Sequence, residues 1–347
     1  MSTLGNTTLS DWLADYPMAI ARIVQALAGA CVDIAAASAE GALIGLHGVA
    51  GSTNSQGESQ KKLDVYANGV VIAALADCPS VAGWASEELD EAEASPNHGA
   101  TGEHLVIFDP VDGSSNIEAN ISFGTIFSVL PRGLKGAMLS SADFLQPGSR
   151  QLAAGYVVYG PSTVMVVCCG REVAMFTLHR ASGAWLLTQP RVEIPRSTRE
   201  FAINASNQRH WDKPVQRYVA ECAAGEAGPR RIDFNMRWVA SLVADVHRLM
   251  TRGGIYLYPR DARQPGRLRL LYETSPMAWL VQHAGGGAVT GTQDLLEVVP
   301  DFIHQKVPVI LGSMDEVERI VAYHADPSEN VAMPLFRNRS LFVQPSP

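Results

Sequence analysis

His104-Leu105-Val106-Ile107-Phe108-Asp109-Pro110-Val111-Asp112-Gly113-Ser114-Ser115-Asn116 is the stretch that decides how this chain reads. Its first five residues form an apolar run that reads as a buried strand. Asp109 and Asp112 close the run, with Pro110 stiffening the turn between them and Gly113 freeing the backbone afterwards. Ser114 and Ser115 read as the opening of a helix, where unpaired N–H groups attract anions. One turn therefore offers hard oxygen ligands for a divalent cation beside a backbone cradle for a phosphate. That pairing points to metal-assisted phosphate chemistry. A lone DPxDG is ordinarily only a turn; the extended run DPVDGSSN after a buried strand is what lifts this one.

Working outward, the chain has 347 residues, enough for one large domain or two packed ones. Its hydrophobic fraction of 47% supplies a core, and a charged fraction of 18% excludes an acidic disordered chain. A net charge of -8 argues against non-specific nucleic-acid binding but leaves room for a phosphorylated substrate at a locally positive or metal-filled site. The cysteines at 31, 78, 168, 169 and 222 have no CxxC spacing, which suggests reduced thiols in a reducing compartment. Asp11 and Asp15 precede any basic residue, the wrong order for a secretory signal. Arg22, Asp33 and Glu40 interrupt the Ala-rich stretch after Met18, so a transmembrane span is not expected. The expectation is a soluble, cytoplasmic protein with neither nucleic acid nor membrane as partner.

Ile20, Ile23, Val24, Leu27, Ala28, Cys31 and Ile34 fall at helical spacing. Residues 51–60 read as a polar loop, and 64–76 as a second helix. Strands are expected at 81–86, 121–130, 153–169, 201–204, 254–258 and 307–311, and a hairpin at 181–196. Residues 91–102 read as loop; helices are expected at 212–222 and 277–284. This order implies an α/β (α+β layered) fold. A boundary near 198 divides residues 1–197, which carry the aspartate pair, from residues 198–347.

Other acids stand where strands end. Glu87-Glu88 follows one apolar run, Glu273 ends Leu270-Leu271-Tyr272, and Asp64 follows Lys61-Lys62-Leu63 after the loop that carries Glu58. Carboxylates at strand ends of such sheets gather at one edge, where they repel unless a cation neutralises them. Magnesium suits oxygen ligands that leave part of its shell for water and phosphate. An isolated Glu-Glu pair would ordinarily be solvated surface; its weight here comes from the shared strand-end position.

These pieces together resemble the class I fructose-1,6-bisphosphatases, within the lithium-sensitive, magnesium-dependent sugar phosphatases. The resemblance runs from about residue 10 to 325: GVAGSTN at 48–54, KKLDV at 61–65, SEE at 86–88, FDPVDGSSNIEANISFGTIFSV at 108–129, LQPG at 145–148, AAGYVVYG at 153–160, SLVADVHR at 241–248, GGIYLYP at 253–259, LRLLYE at 268–273 and HQKVPVILGS at 304–313. ASNQRHWDKPVQRYV looks most like the bacterial form associated with the Calvin cycle.

The resemblance implies the sugar-phosphatase fold, with alternating layers of helices and mixed sheets. It implies two or more Mg²⁺ ions per subunit on Glu87, Glu88, Asp109, Asp112 and Glu273, and water activation by Asp64, Glu58 and Glu88. It places the 1-phosphate beside Asp112 on the N–H groups of Gly113, Ser114 and Ser115, and the sugar near Leu242. It gives the 6-phosphate to Asn204, Arg237, Tyr258 and Arg267, and sends Arg237 into a neighbouring subunit of a tetramer. Trp238 and Asn207 stand where Tyr is usual, which opens sedoheptulose 1,7-bisphosphate as an alternative substrate. A non-catalytic sugar-phosphate-binding homologue is the alternative from a different class. Tyr16-Pro17-Met18-Ala19 and Glu103-His104 replace the AMP-binding pieces of animal forms, so little AMP inhibition is expected. For Asp245, His247 and His304 the expectation is structural hydrogen bonding.

Overall fold

A computed structural model describes residues 7–53, 59–133 and 138–326. Helices α1 (Leu9–Leu13) and α2 (Met18–Glu40) lead into a small hairpin, β1 (Val49–Thr53) and β2 (Ser59–Lys61). The expected loop at 51–60 is therefore paired at both ends, and Glu58 lies outside the described residues. Helix α3 (Lys62–Ala76) follows. Next come β3 (Val81–Ser86), β4 (Glu93–Ala94), β5 (His104–Asp112), β6 (Phe123–Pro131), β7 (Ala153–Tyr159), β8 (Thr163–Cys168), β9 (Val173–His179) and β10 (Ala184–Gln189). These eight strands form one sheet in the order β10-β9-β8-β7-β6-β5-β3-β4. The hairpin expected at 181–196 is the β9–β10 pair instead; its first strand starts at Val173 and its turn lies at 180–183.

The second half adds β11 (Glu200–Ile203), α4 (Lys213–Ala223), β12 (Asn235–Met236), α5 (Leu242–Arg252), β13 (Ile255–Tyr258), β14 (Leu268–Arg269), α6 (Ser275–His283), β15 (Gly287–Val289), β16 (Lys306–Val307), β17 (Val309–Gly312) and α7 (Met314–Ala325). Its sheet runs β12-β11-β13-β17-β15, while β14 pairs with β16. The strand expected at 307–311 is thus split at Pro308 between two sheets, because proline lacks the N–H that a continuing ladder needs.

Strand alternation stacks these elements into five layers. Val106, Phe108 and Phe127 face α2 and α3 through Ile23, Leu27, Ile34 and Val71. Ile126, Tyr156 and Val166 face the other way, against α5, α6 and Tyr256 and Leu311 of the second sheet. Leu257 and Ile310 then turn outward onto Val215 of α4 and Ile320 of α7. The expected α/β layering is present. By length and composition α2 could cross a membrane, because so few charges interrupt it. The expectation that no such span fits is corrected on that point. Within this fold one face of α2, with Ile23, Leu27 and Ile34, is buried against the large sheet.

Candidate active site

Parallel pairing builds the acidic edge. β3 and β5 are the large sheet's one parallel pair among the described residues, with Ser86 opposite Phe108. The carboxyl end of β3 therefore releases Glu87 and Glu88 beside Asp109 of β5. Helix α3 runs back along the sheet before β3, so its first turn lies at the same edge. Asp64 in that turn accepts the Lys61 N–H at 2.7 Å. The strand β5 does not stop at Asp109, and the turn expected between the two aspartates is a bulge within the strand. The Val111 N–H folds back onto Asp109 Oδ1 at 2.9 Å. The bulge changes the register so that Asp109 and Asp112 both reach the site.

Two elements from the second half complete it. The N-terminus of α5 grips Asp112, whose Oδ2 accepts from Ser241 Oγ at 3.0 Å and from the Val243 N–H at 2.8 Å. Leu270–Thr274 form a π-helical turn packed on β5 and β6 that delivers Glu273. Asp109, Asp112 and Glu273 bring carboxylate oxygens within 4.8 Å of one another, and all three are buried.

Glu87 adjoins this trio through Arg269, whose Nη1 lies 2.6 Å from Glu87 Oε1 and 4.0 Å from Glu273 Oε2. Glu88 instead accepts from Gln60 Nε2 at 2.6 Å on the hairpin side, close enough to Asp64 to repel it. The five expected ligands therefore form a tight trio, one neighbour bridged by arginine, and one carboxylate facing Asp64.

Burial pushes Asp64 up to about 7, and nearby Glu88 adds to it. Burial likewise takes Glu87 to about 7 against the pull of Arg269, and Asp112 to about 6 against the Ser241 and Val243 donors. Asp109 and Glu273 rise well above the carboxylate range through burial, with Glu87 next. Arg269 and Lys61 cannot balance this many acids, and among the described residues Asp64 Oδ1 is buried without a hydrogen-bond partner. Hard oxygen donors with surplus negative charge fit a divalent cation.

Arg269 is the residue that sequence reasoning missed. Its signal was its place in LRLLYE, four residues before Glu273. Gly113 sits at φ 83, and a Cβ there would lie 2.8 Å from Ser241 Cβ. Only glycine suits that turn. Ser114–Asn116 form a single 3-10 turn rather than the opening of a longer helix. Leu242 packs in the core between the sheets, one residue after Ser241, which grips Asp112.

The second sheet gathers the other expected residues. β11 and β13 are parallel, with Ile203 opposite Leu257, so Asn204 and Tyr258 reach one edge. The Arg267 guanidinium lies 5.8 Å from the Tyr258 ring, and Trp238 meets that ring edge-on at 5.7 Å. Arg237 is exposed, its N–H reaching the Phe201 carbonyl at 2.7 Å; Glu200 nearby is lowered chiefly by its hydrogen bond from Arg248, with Arg237 adding a little. Tyr256 links both halves, stacking on Trp238 while feeling the charge of Asp112 and Glu273. Asp245 accepts the Val239 and Ala240 N–H groups, His247 pairs with Tyr156 OH, and His304 with the Asp90 carbonyl.

A buried carboxylate nest beside a turn that only glycine can make, with an aromatic and basic cluster on the second sheet, suits a phosphoric monoester hydrolase, the class to which the chain's relatives belong. The description "Fructose-1-6-bisphosphatase, N-terminal domain" matches residues 11–190, and its C-terminal counterpart matches residues 194–325. "Fructose-1,6-bisphosphatase class 1 1" of Methylibium petroleiphilum is 60% identical over 344 residues, covering 97% of this chain and 98% of that one. A crystal structure of Leishmania major fructose-1,6-bisphosphatase in holo form superposes with a TM-score of 0.87 at 33% identity, over 92% of this chain and 99% of that one. The chain belongs to the class I fructose-1,6-bisphosphatases.

Proposed function

We infer that the chain is an enzyme that hydrolyses the 1-phosphate of fructose 1,6-bisphosphate, giving fructose 6-phosphate and phosphate. The observation that carries the site assignment is the convergence of Asp109, Asp112 and Glu273 from separate elements. With Glu87 and Glu88 they would hold two or more Mg²⁺ ions. Bound there, magnesium would supply Lewis-acid polarisation of the phosphate and lower the pKa of the attacking water.

The protein's own groups do the rest. Asp64 and Glu88, with Glu58, orient that water and take its proton; a carboxylate raised to about 7 is well matched to a neutral-pH base. The N–H groups of Gly113, Ser114 and Ser115 hold the phosphoryl oxygens beside Asp112 as charge redistributes. Asn204, Tyr258 and Arg267 hold the 6-phosphate. Arg237, exposed beside β11, suits service in a neighbouring subunit's site within a tetramer. We take residues 1–197 as the metal and 1-phosphate domain and 198–347 as the sugar domain, working in the cytoplasm in carbohydrate metabolism such as the Calvin cycle or gluconeogenesis. The seven-carbon substrate and the non-catalytic alternative gain no support from the relatives.

Phosphorus NMR of a turnover mixture tests the assignment. The expected product is fructose 6-phosphate with free phosphate; accumulation of fructose 1-phosphate would overturn it.

A further inference from the structure

Resting on that reading of the 6-phosphate pocket, we propose that Asp261 is a positioning residue: its carboxylate holds the Arg267 guanidinium beside the Tyr258 ring, so the grip on the second phosphate depends on a negative charge.

The carboxylate is itself anchored. Asp261 Oδ1 accepts the Arg263 N–H at 2.8 Å and the Gln264 N–H at 3.0 Å, closing a tight turn. Its backbone bridges Trp211, and the next N–H reaches the His210 carbonyl at 3.1 Å. The turn is thereby tied to the segment that follows Asn204. Oδ2 points the other way and accepts from Arg267 Nη2 at 2.8 Å. The Asp261 side chain is 2% exposed, whereas that of Arg267 is 25% exposed. The covered partner is the anchor and the open one is free to reach a ligand. Hydrogen bonding to Arg267 keeps the acid ionised, near a pKa of about 2.

Two physical effects disagree about what Asp261 does. A carboxylate so close to a phosphate pocket repels a phosphate, which would make its removal tighten binding. A flexible arginine held in place loses less freedom on binding, which would make removal weaken it. Arg267 and its surroundings are open enough to solvent to screen the repulsion, while the charge-assisted bond that fixes the guanidinium is short. Positioning should win.

Asp261→Asn is the discriminating change, since its amide oxygen can still close the turn while its NH₂ cannot accept from Arg267. Steady-state kinetics on the intact enzyme should show KM for fructose 1,6-bisphosphate raised roughly tenfold with kcat held, and unchanged kcat/KM for fructose 1-phosphate, which lacks the second phosphate. Arg267→Ala should raise the bisphosphate KM, and adding Asp261→Asn to it should raise it no further. A KM that stays or falls in Asp261→Asn while Arg267→Ala raises it sinks the proposal alone. Equal losses on both substrates in Asp261→Asn mean a damaged loop and also sink it. If Arg267→Ala leaves KM unchanged, the pocket reading fails and takes the proposal with it.

Discussion

Stripped of divalent cations, this protein should become less stable as pH rises from about 4.5 to 7.5, and magnesium should restore stability most at the upper end. Burial raises Asp64 from 3.8 to about 7 and Glu87 from 4.5 to about 7. Raised acids keep protons in the folded state that the unfolded chain has already released. Stability from them is therefore fully present below the unfolded pKa and is lost as pH climbs through the folded one. At about 1.4 kcal/mol per unit, Asp64 alone represents roughly 4 kcal/mol and Glu87 roughly 3 kcal/mol. The acids repel one another, so the sum overcounts, and a combined loss on the order of 4 kcal/mol is the working figure.

Urea unfolding in EDTA at half-unit pH steps measures this directly, with a parallel series in magnesium. Other groups carry shifts as well: Asp245, raised to about 7 by burial, adds a slope of the same sign, and His247, lowered by burial, opposes it. Asp261, lowered to about 2 by Arg267, is ionised in both states throughout and contributes none. His324 is raised, with burial opposing and Asp212 driving the rise; it adds a slope of the same sign that magnesium does not reach. Magnesium competes with protons for the carboxylates, so its stabilisation must grow with pH. A flat or rising profile in EDTA, or a magnesium effect equal at every pH, would refute the reasoning.

Asp112→Ala should cut kcat by at least about a thousandfold while the circular dichroism spectrum stays native, since Asp112 touches both the proposed metal and phosphate positions; near-normal turnover would refute its assignment. Glu316→Ala should destabilise the chain by about 3–5 kcal/mol in urea, because it strands the buried Arg230 guanidinium, 2.6 Å from Glu316, and the Tyr218 hydroxyl. AMP should give no saturable inhibition in the phosphate-release assay, because Glu103 would repel a nucleotide phosphate.

Much of the fold was legible because its periods are clean. The apolar face of α2 repeats at helical spacing, and β3 and β5 are apolar on both faces because layers cover both sides of the sheet. Helices α5 and α7 were not read from the sequence, although Leu242, Val246 and Leu249, and Val317 and Ile320, fall at helical spacing. Short helices of middling propensity owe their stability to packing, which local sequence does not display. The aspartate pair read as a turn because Asp, Pro and Gly are turn formers, and only pairing with β6 keeps the segment extended. The acids were legible as a set because each ends a run. Arg269 was hidden because its importance depends on a neighbour 182 positions away in sequence, Glu87. The split between the tight trio and Glu88 is likewise a matter of three-dimensional placement.

Phosphate release from fructose 1,6-bisphosphate, measured after exhaustive chelation and again as magnesium is added back, tests the central claim most directly. Activity should vanish with the cation and return with it, and Glu273→Gln should need far more magnesium to recover. Full turnover in the chelated enzyme, or a magnesium requirement that Glu273→Gln leaves unchanged, would contradict the assignment of these buried acids.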